Sequence, residues 1–264
     1  MKDFNKTSLF ILLIFSFLGL NINAQTKVPE PKSGFPLTKK IIQNHLIYPK
    51  EALEQKKGGK ITVYYDVDKD GNASNFRVKD AFDEKCAAEA IRLVKMIEWN
   101  PAMSNGKTTS FNDYYTIDFS PKSYKKAEEK NPRPMLPEQN YPAQKSNNVY
   151  NLKELFQSPI PYFENKQTTM ATYLRLNLIY PDQAKQFEIQ GTVVLSFIVE
   201  TDGRVSNILV ENSVGGGCDN EAIRLLQNML WTPGIKNDSL VRTRMTQEIT
   251  FRIGESNYYD GNSY

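Results

Sequence analysis

The chain has 264 residues, 40% of them apolar, and a formal net charge of +3. That length leaves room for about two ordinary domains, each with a core of its own. So mild a charge, with no basic tract interleaved with aromatics, excludes nucleic acid as the expected partner.

Lys2 and Lys6 precede an apolar run from Leu9 to Leu20, and Asn21-Ile22-Asn23-Ala24 places a small residue before Gln25. The pattern predicts a secretory signal peptide over residues 1–24, cleaved after Ala24. The rival reading keeps the run as a membrane anchor. An anchor needs about 20 apolar residues, and this run is shorter and ends in polar ones. No cysteine follows it, so a lipid-modified N-terminus is not expected, and the mature protein is expected to be soluble and exported.

Residues 25–35 hold Pro29 and Pro31 without periodicity and read as a flexible lead-in. Apolar spacing starts at Leu37, Ile41 and Ile42. Tyr48-Pro49 then opens a short helix that buries Ala52 and Leu53, with Gly58-Gly59 ending it. Ile61, Val63, Tyr65 and Val67 alternate with Thr62, Tyr64 and Asp66, the period of a half-buried strand. Asp70-Gly71 supplies a hairpin turn and Phe76 and Val78 mark the returning strand. A second helix follows, with Cys86, Ala90, Val94 and Ile97 on one face, Asp83 placed to cap it and Glu89 near the positive end of its dipole. Trp99-Asn100-Pro101 stops it, and Tyr115, Ile117 and Phe119 form a closing strand.

The whole pattern then recurs 132 residues later. Pro49 maps onto Pro181, Gly59 onto Gly191, Asp70-Gly71 onto Asp202-Gly203, Cys86 onto Cys218, Trp99 onto Trp231 and Phe119 onto Phe251, without a gap. Register kept over roughly 70 residues marks a duplicated domain. The expected class is α+β, with two tandem copies of a small three-stranded antiparallel sheet packed by two helices. The expected layout is a first domain over 36–121, a linker over 122–158, a second domain over 159–254 and a polar tail over 255–264. The linker, with Pro132, Pro134, Pro137 and Pro142, reads as solvated and partly extended.

Few residues invite chemistry. Cys86 and Cys218 hold equivalent positions, so each reads as a small apolar residue at the foot of its own helix rather than as half of a disulfide. The single histidine, His45, has Asn177 as its counterpart and reads as a surface or capping residue, not as the base of a Cys–His pair. Asp66-x-Asp68-x-Asp70-Gly71 imitates a calcium loop, but Arg77 stands where the bidentate glutamate belongs, and a hairpin turn explains it. Gly215-Gly216-Gly217 lacks the lysine of a phosphate loop and reads as a flexible turn. No enzyme, metal or cofactor is expected. What remains is the unpaired backbone of an edge strand, which can receive an extended peptide. The second closing strand is the candidate, with Gln247, Thr250 and Arg252 expected to point outward.

These residues together resemble the C-terminal domain of TonB, the energy transducer of Gram-negative outer-membrane transport. The second copy carries the likeness best, in Tyr180-Pro181, Ala184, Gln190-Gly191, Asp202-Gly203, Cys218-Asp219, Glu221-Ala222, Trp231-Thr232-Pro233-Gly234 and Ile249-Thr250-Phe251. The first copy keeps Tyr48-Pro49, Gly59, Asp70-Gly71, Glu89-Ala90 and Trp99-x-Pro101, and lacks the glycine loop before its helix. The resemblance implies strand addition, with the closing strand pairing with an extended segment of a transporter and the Tyr-Pro segment close by. Carried over, it implicates Tyr180, Pro181, Ile249, Thr250, Phe251, Arg252 and Ile253, and in the first copy Tyr48, Pro49, Ile117 and Phe119. Its implied partners are TonB-dependent outer-membrane transporters or other envelope proteins, with an inner-membrane transducer complex as a further candidate. A working transducer also needs an anchor and a long spacer. Here the expected signal is cleaved, and a linker of about 30 residues reaches at most about 100 Å. The chain therefore reads as a periplasmic, non-enzymatic relative without the motor connection. The alternatives are an anchored transducer on the periplasmic side of the inner membrane and a cell-wall-binding module.

Overall fold

The computed structural model describes residues 26–130 and 135–253. The expected signal peptide over 1–24 and the tail over 255–264 lie outside the described residues.

The first copy runs β1 (Glu30–Pro31), α1 (Phe35–His45), α2 (Lys50–Glu54), β2 (Gly59–Val67), β3 (Ala73–Val78), α3 (Glu84–Lys95), β4 (Trp99–Asn100), β5 (Ala102–Ser104), β6 (Lys107–Thr109), β7 (Phe111–Phe119) and α4 (Pro121–Lys130). The second runs β8 (Val149–Tyr150), β9 (Ile160–Tyr162), α5 (Met170–Asn177), α6 (Asp182–Gln186), β10 (Gly191–Val199), β11 (Val205–Asn212), α7 (Cys218–Gln227), β12 (Leu230–Thr232), β13 (Gly234–Lys236) and β14 (Ser239–Phe251). The mixed helix-and-sheet class and the tandem repeat are as the sequence implies.

In the first copy the sheet order is β3-β2-β7, all antiparallel. Alternation along β2 buries Ile61, Val63, Tyr65 and Val67 under α3, whose Cys86, Ala90, Leu93 and Val94 face them. The second copy repeats this with Val193, Leu195, Phe197 and Val199 beneath Cys218, Ala222, Leu225 and Leu226. Its sheet is wider, in the order β11-β10-β14-β13, with β8 added parallel to β14. Both cysteines are buried and free, each within its own core.

The repeat reaches the level of single bonds. Glu89 accepts the Ile47 N–H at 2.7 Å and is clamped by Arg92, which also donates to the His45 carbonyl. Glu221 does the same with Ile179 at 2.6 Å, Arg224 and the Asn177 carbonyl. Each pair fastens the start of the Tyr-Pro segment to the long helix. The sequence placed these glutamates near a helix dipole; their stronger role is to satisfy a backbone donor that no helix or strand reaches. The arginines carried a signal, since each sits three residues after its glutamate at the same register.

The helix starts differ between copies. Asp83 caps α3, accepting the N–H groups of Lys85 and Cys86. In the second copy Gly217 is the cap, and Asp219, inside α7, reaches back to the Val214 N–H at 2.9 Å. The glycine turn there is left-handed throughout and packs on α6 and the residues after it, where a Cβ on Gly216 would lie 3.1 Å from Ala184 and 2.7 Å from Ile189. It closes the helix start against the Tyr-Pro segment.

Several expectations need correction. The lead-in is not a free tether: β1 pairs with β4, and Lys27 pairs with Met103. The stretch read as an extended linker begins as α4, whose Tyr124 ring meets Tyr48 edge-on at 5.3 Å. Its later part is bound to the second copy, with Gln144 donating to the Leu240 carbonyl, β8 along β14, and Phe156 donating to the Ile235 carbonyl. Short runs without periodicity can still pair through their backbone, which no side-chain pattern records. Gln247 shares the face of Ile249 and so lies on the core side of β14, not the outward side. His45 is a buried residue rather than a surface one, at 1% exposure.

His45 is buried because the copies dock. α1 and its cap serve both cores: Ile42 and the capping Leu46 pack into the first, and Leu37 and Ile41 against the second. Asn207 accepts the Glu98 N–H and donates to the Met96 carbonyl. Arg242, in a buried two-bond pair with Glu200, also donates to the Met96 carbonyl at 2.9 Å, and Arg244 pairs with Glu98. Apart from Asn207, whose counterpart is Asn75, the docking side chains are not duplicated. Where the second copy has Ile198, Glu200 and Arg242, the first has Asp66, Asp68 and Ser110. Asp66 and Asp68 hold their own hairpin, Asp68 accepting the Asp70 and Asn72 N–H groups and Asp66 accepting from Asn75.

Candidate functional site

β14 is paired with β10 along its whole second half, from Thr243 opposite Val199 to Phe251 opposite Gly191. On its other flank β8 takes Arg242 and Thr243. Beyond them, from Arg244 to Phe251, no described strand occupies that flank. The same holds for β7, which among the described residues pairs with β2 alone, from Phe111 to Phe119. Each copy therefore ends in a strand with a row of backbone donors and acceptors facing outward. A chain in extended form can complete such a row at the usual strand spacing of about 4.8 Å.

The side chains of the candidate residues divide by face. Ile249 and Phe251, like Ile117 and Phe119, point into the cores at 3% exposure or less. They fix the strand in place and leave only its backbone for a partner. Thr250 is half-buried on the outer face, its hydroxyl 2.9 Å from that of Thr192. Arg252 and Ile253 lie exposed just past the strand, and the Ile253 N–H donates to the Gln190 side chain.

The Tyr-Pro segment is joined to the closing strand through its ring. Tyr180 meets Phe251 edge-on at 5.7 Å and donates its hydroxyl to the Ile189 carbonyl. Tyr48 meets Phe119 at 5.6 Å and donates to the Lys57 carbonyl. Burial pushes the Tyr48 hydroxyl up to about 12 and raises that of Tyr180 as well, so both are hydrogen-bond donors at any physiological pH. Pro181 and Pro49 precede α6 and α2 in extended conformation. The structure thus brings Tyr180, Pro181 and Phe251 together, with Tyr48, Pro49 and Phe119 as their repeat, and the rings brace the strand from behind.

Groups suited to covalent chemistry are withdrawn from solvent. Burial pushes the Cys86 thiol up to about 12, with the Asp83 carboxylate adding to the effect, and raises Cys218 likewise. Among the described residues, no cluster of histidine, cysteine or carboxylate side chains could hold a metal ion, and no helix is long and apolar enough to cross a membrane.

The family model for the Gram-negative bacterial TonB protein C-terminal domain matches the chain twice, over residues 44–121 and 177–253. No curated protein matches it. The family is a non-catalytic, transport-related and envelope-associated one, whose members engage outer-membrane transporters in general. Both matches start just before a Tyr-Pro segment and end at the closing strand, so they enclose the two braced edges described above. The matched segments make up more than half of the sequence, and the chain belongs to the TonB C-terminal domain family, as a tandem pair tied to TonB-dependent transport.

Proposed function

We propose that this is a non-enzymatic periplasmic protein that receives extended segments of outer-membrane transporters, or of related envelope proteins, by strand addition. The second copy is the principal receiver: its partner lies along the Arg244–Phe251 flank and continues past Arg252 and Ile253. Tyr180 and Pro181 hold that edge in position. The first copy offers the β7 flank, ending at Ile117 and Phe119, with Tyr48 and Pro49 behind it. The observation that carries this reading is a strand paired over nine residues on one side and, past its first five residues, with no described strand on the other. Backbone recognition of this kind suits partners that share extended form more than sequence.

A photo-crosslinking residue at Thr250 in intact cells tests the proposal. Adducts with outer-membrane transporters are expected, and they should disappear when an excess of a transporter's extended N-terminal segment competes. Adducts only with cell-wall material, or none from Thr250 while a control site such as Lys69 crosslinks freely, would overturn it. Mass spectrometry of the protein from cells bears on its location, with Gln25 expected as the first residue and a retained Met1 contradicting a cleaved signal.

A further inference from the structure

His45 is the only histidine of the chain, and it ends α1 in the seam between the copies. Its Nε2 lies 3.0 Å from the Val205 carbonyl of the second copy. Its Nδ1 lies 3.4 Å from Oδ2 of Asp202, also of the second copy. A carbonyl oxygen can only accept, so Nε2 carries a hydrogen. Nδ1 makes no hydrogen bond, and the group it faces is that carboxylate. A neutral ring would aim a lone pair at that negative charge, whereas a doubly protonated ring is complementary to both neighbours.

The other charges around the ring are accounted for. Arg204 lies 3.2 Å from Asp202, Arg92 is clamped to Glu89 while donating to the His45 carbonyl, and Glu200 is paired with Arg242. Burial alone would push the Asp202 carboxyl up. The charge of His45, together with Arg204, outweighs it and holds that carboxyl well below the usual carboxylate range. In the second copy the equivalent of His45 is Asn177, which is exposed and donates to the Tyr173 carbonyl of its own helix. The titratable side chain is therefore found only where the copies meet.

We infer that His45 is a proton-dependent latch: its doubly protonated ring docks the two copies tightly, and loss of a proton loosens the seam. The sign follows from the geometry. Both neighbours of the ring can only accept, so docking is favoured by the doubly protonated ring and weakens when that proton is lost. The Asp202 carboxylate sets the lower limit. Its contribution is present above the ordinary aspartate range, near about 3.9, and is lost as pH falls through its own depressed value. The latch is closed while His45 is doubly protonated and Asp202 is ionised.

Because the chain has one histidine, selective ¹⁵N-histidine labelling of the full-length protein reports on a single ring. Both ring nitrogens are expected to carry hydrogens at about pH 6. Their loss on raising the pH should coincide with a fall in the exchange protection factor of the Glu98 amide, which is bonded to Asn207 across the seam. His45→Asn, which installs the residue of the second copy, should abolish the pH dependence of that protection. Asp202→Asn should leave the fold intact and make the ring release its proton more readily. A singly protonated ring at about pH 6 would overturn the latch. So would an unchanged midpoint in Asp202→Asn, or Glu98 protection with the same pH profile in His45→Asn as in the native chain.

Discussion

In the seam between the copies, the side-chain amide of Asn207 donates to the Met96 carbonyl at 2.8 Å. The equivalent residue, Asn75, donates instead to Asp66 within its own sheet. Both sit at a β-bulge with positive φ, 47° and 54°. One inherited irregularity thus serves a hairpin in the first copy and a domain contact in the second.

That difference has a measurable consequence. Asn207→Ala leaves the Glu98 N–H without its partner and the Met96 carbonyl with Arg242 alone, and replaces asparagine, which tolerates left-handed backbone, by alanine, which does so less well. A loss of about 2–4 kcal/mol is expected by urea denaturation. Asn75→Ala incurs a similar backbone cost, but Asp66 is hydrated, and the expected loss is about 1 kcal/mol. Equal losses at the two positions would count against a seam held by Asn207.

Gly203 and Gly71 do the same work in the two hairpins. A Cβ on Gly203 would stand 2.4 Å from the Trp231 carbonyl oxygen, at φ +80°, and Gly71 has the same relation to Trp99. Gly203→Ala should cost about 2–4 kcal/mol in thermal unfolding. Gly215, at φ +78° but with open space around it, should cost only about 1 kcal/mol on the same change.

The fold was legible where side chains repeat in register. Period two in β2 and β10, the helical faces of α3 and α7, the hairpin glycines and the paired Trp99 and Trp231 all follow from local chemistry written twice. What escaped notice depends on contacts made once. β1, β8 and the residues around Gln144 pair through their backbones, and their polar, proline-rich sequences give no period to read. The seam was hidden for the same reason: His45, Glu200 and Arg242 matter because their counterparts Asn177, Asp68 and Ser110 differ, and Asn207 matters because it makes a contact across the seam that Asn75 does not. For the candidate site, the sequence indicated the closing strand and the Tyr-Pro segment. It did not indicate that Tyr180 and Tyr48 turn inward as braces, because an aromatic beside a proline looks the same whether it faces a core or a partner.

Both thiols should resist modification in the folded chain. With Cys86 pushed up to about 12 by burial and Cys218 raised by the same cause, almost no thiolate is present at about pH 8. Ellman's reagent should therefore detect neither cysteine under native conditions and both after denaturation in guanidinium. Rapid reaction of either in the native state would contradict the packing of α3 and α7 against their sheets.

The central claim, that β14 lends its open flank to another chain's backbone, is tested most directly by amide hydrogen exchange of the full-length protein with and without a synthetic peptide copying a transporter's extended N-terminal segment. Binding is expected to slow exchange at alternate amides between Arg244 and Phe251, those whose N–H groups face away from β10, and to leave the amides shared with β10 unchanged. Binding that slows exchange elsewhere while these amides stay as they were would contradict it.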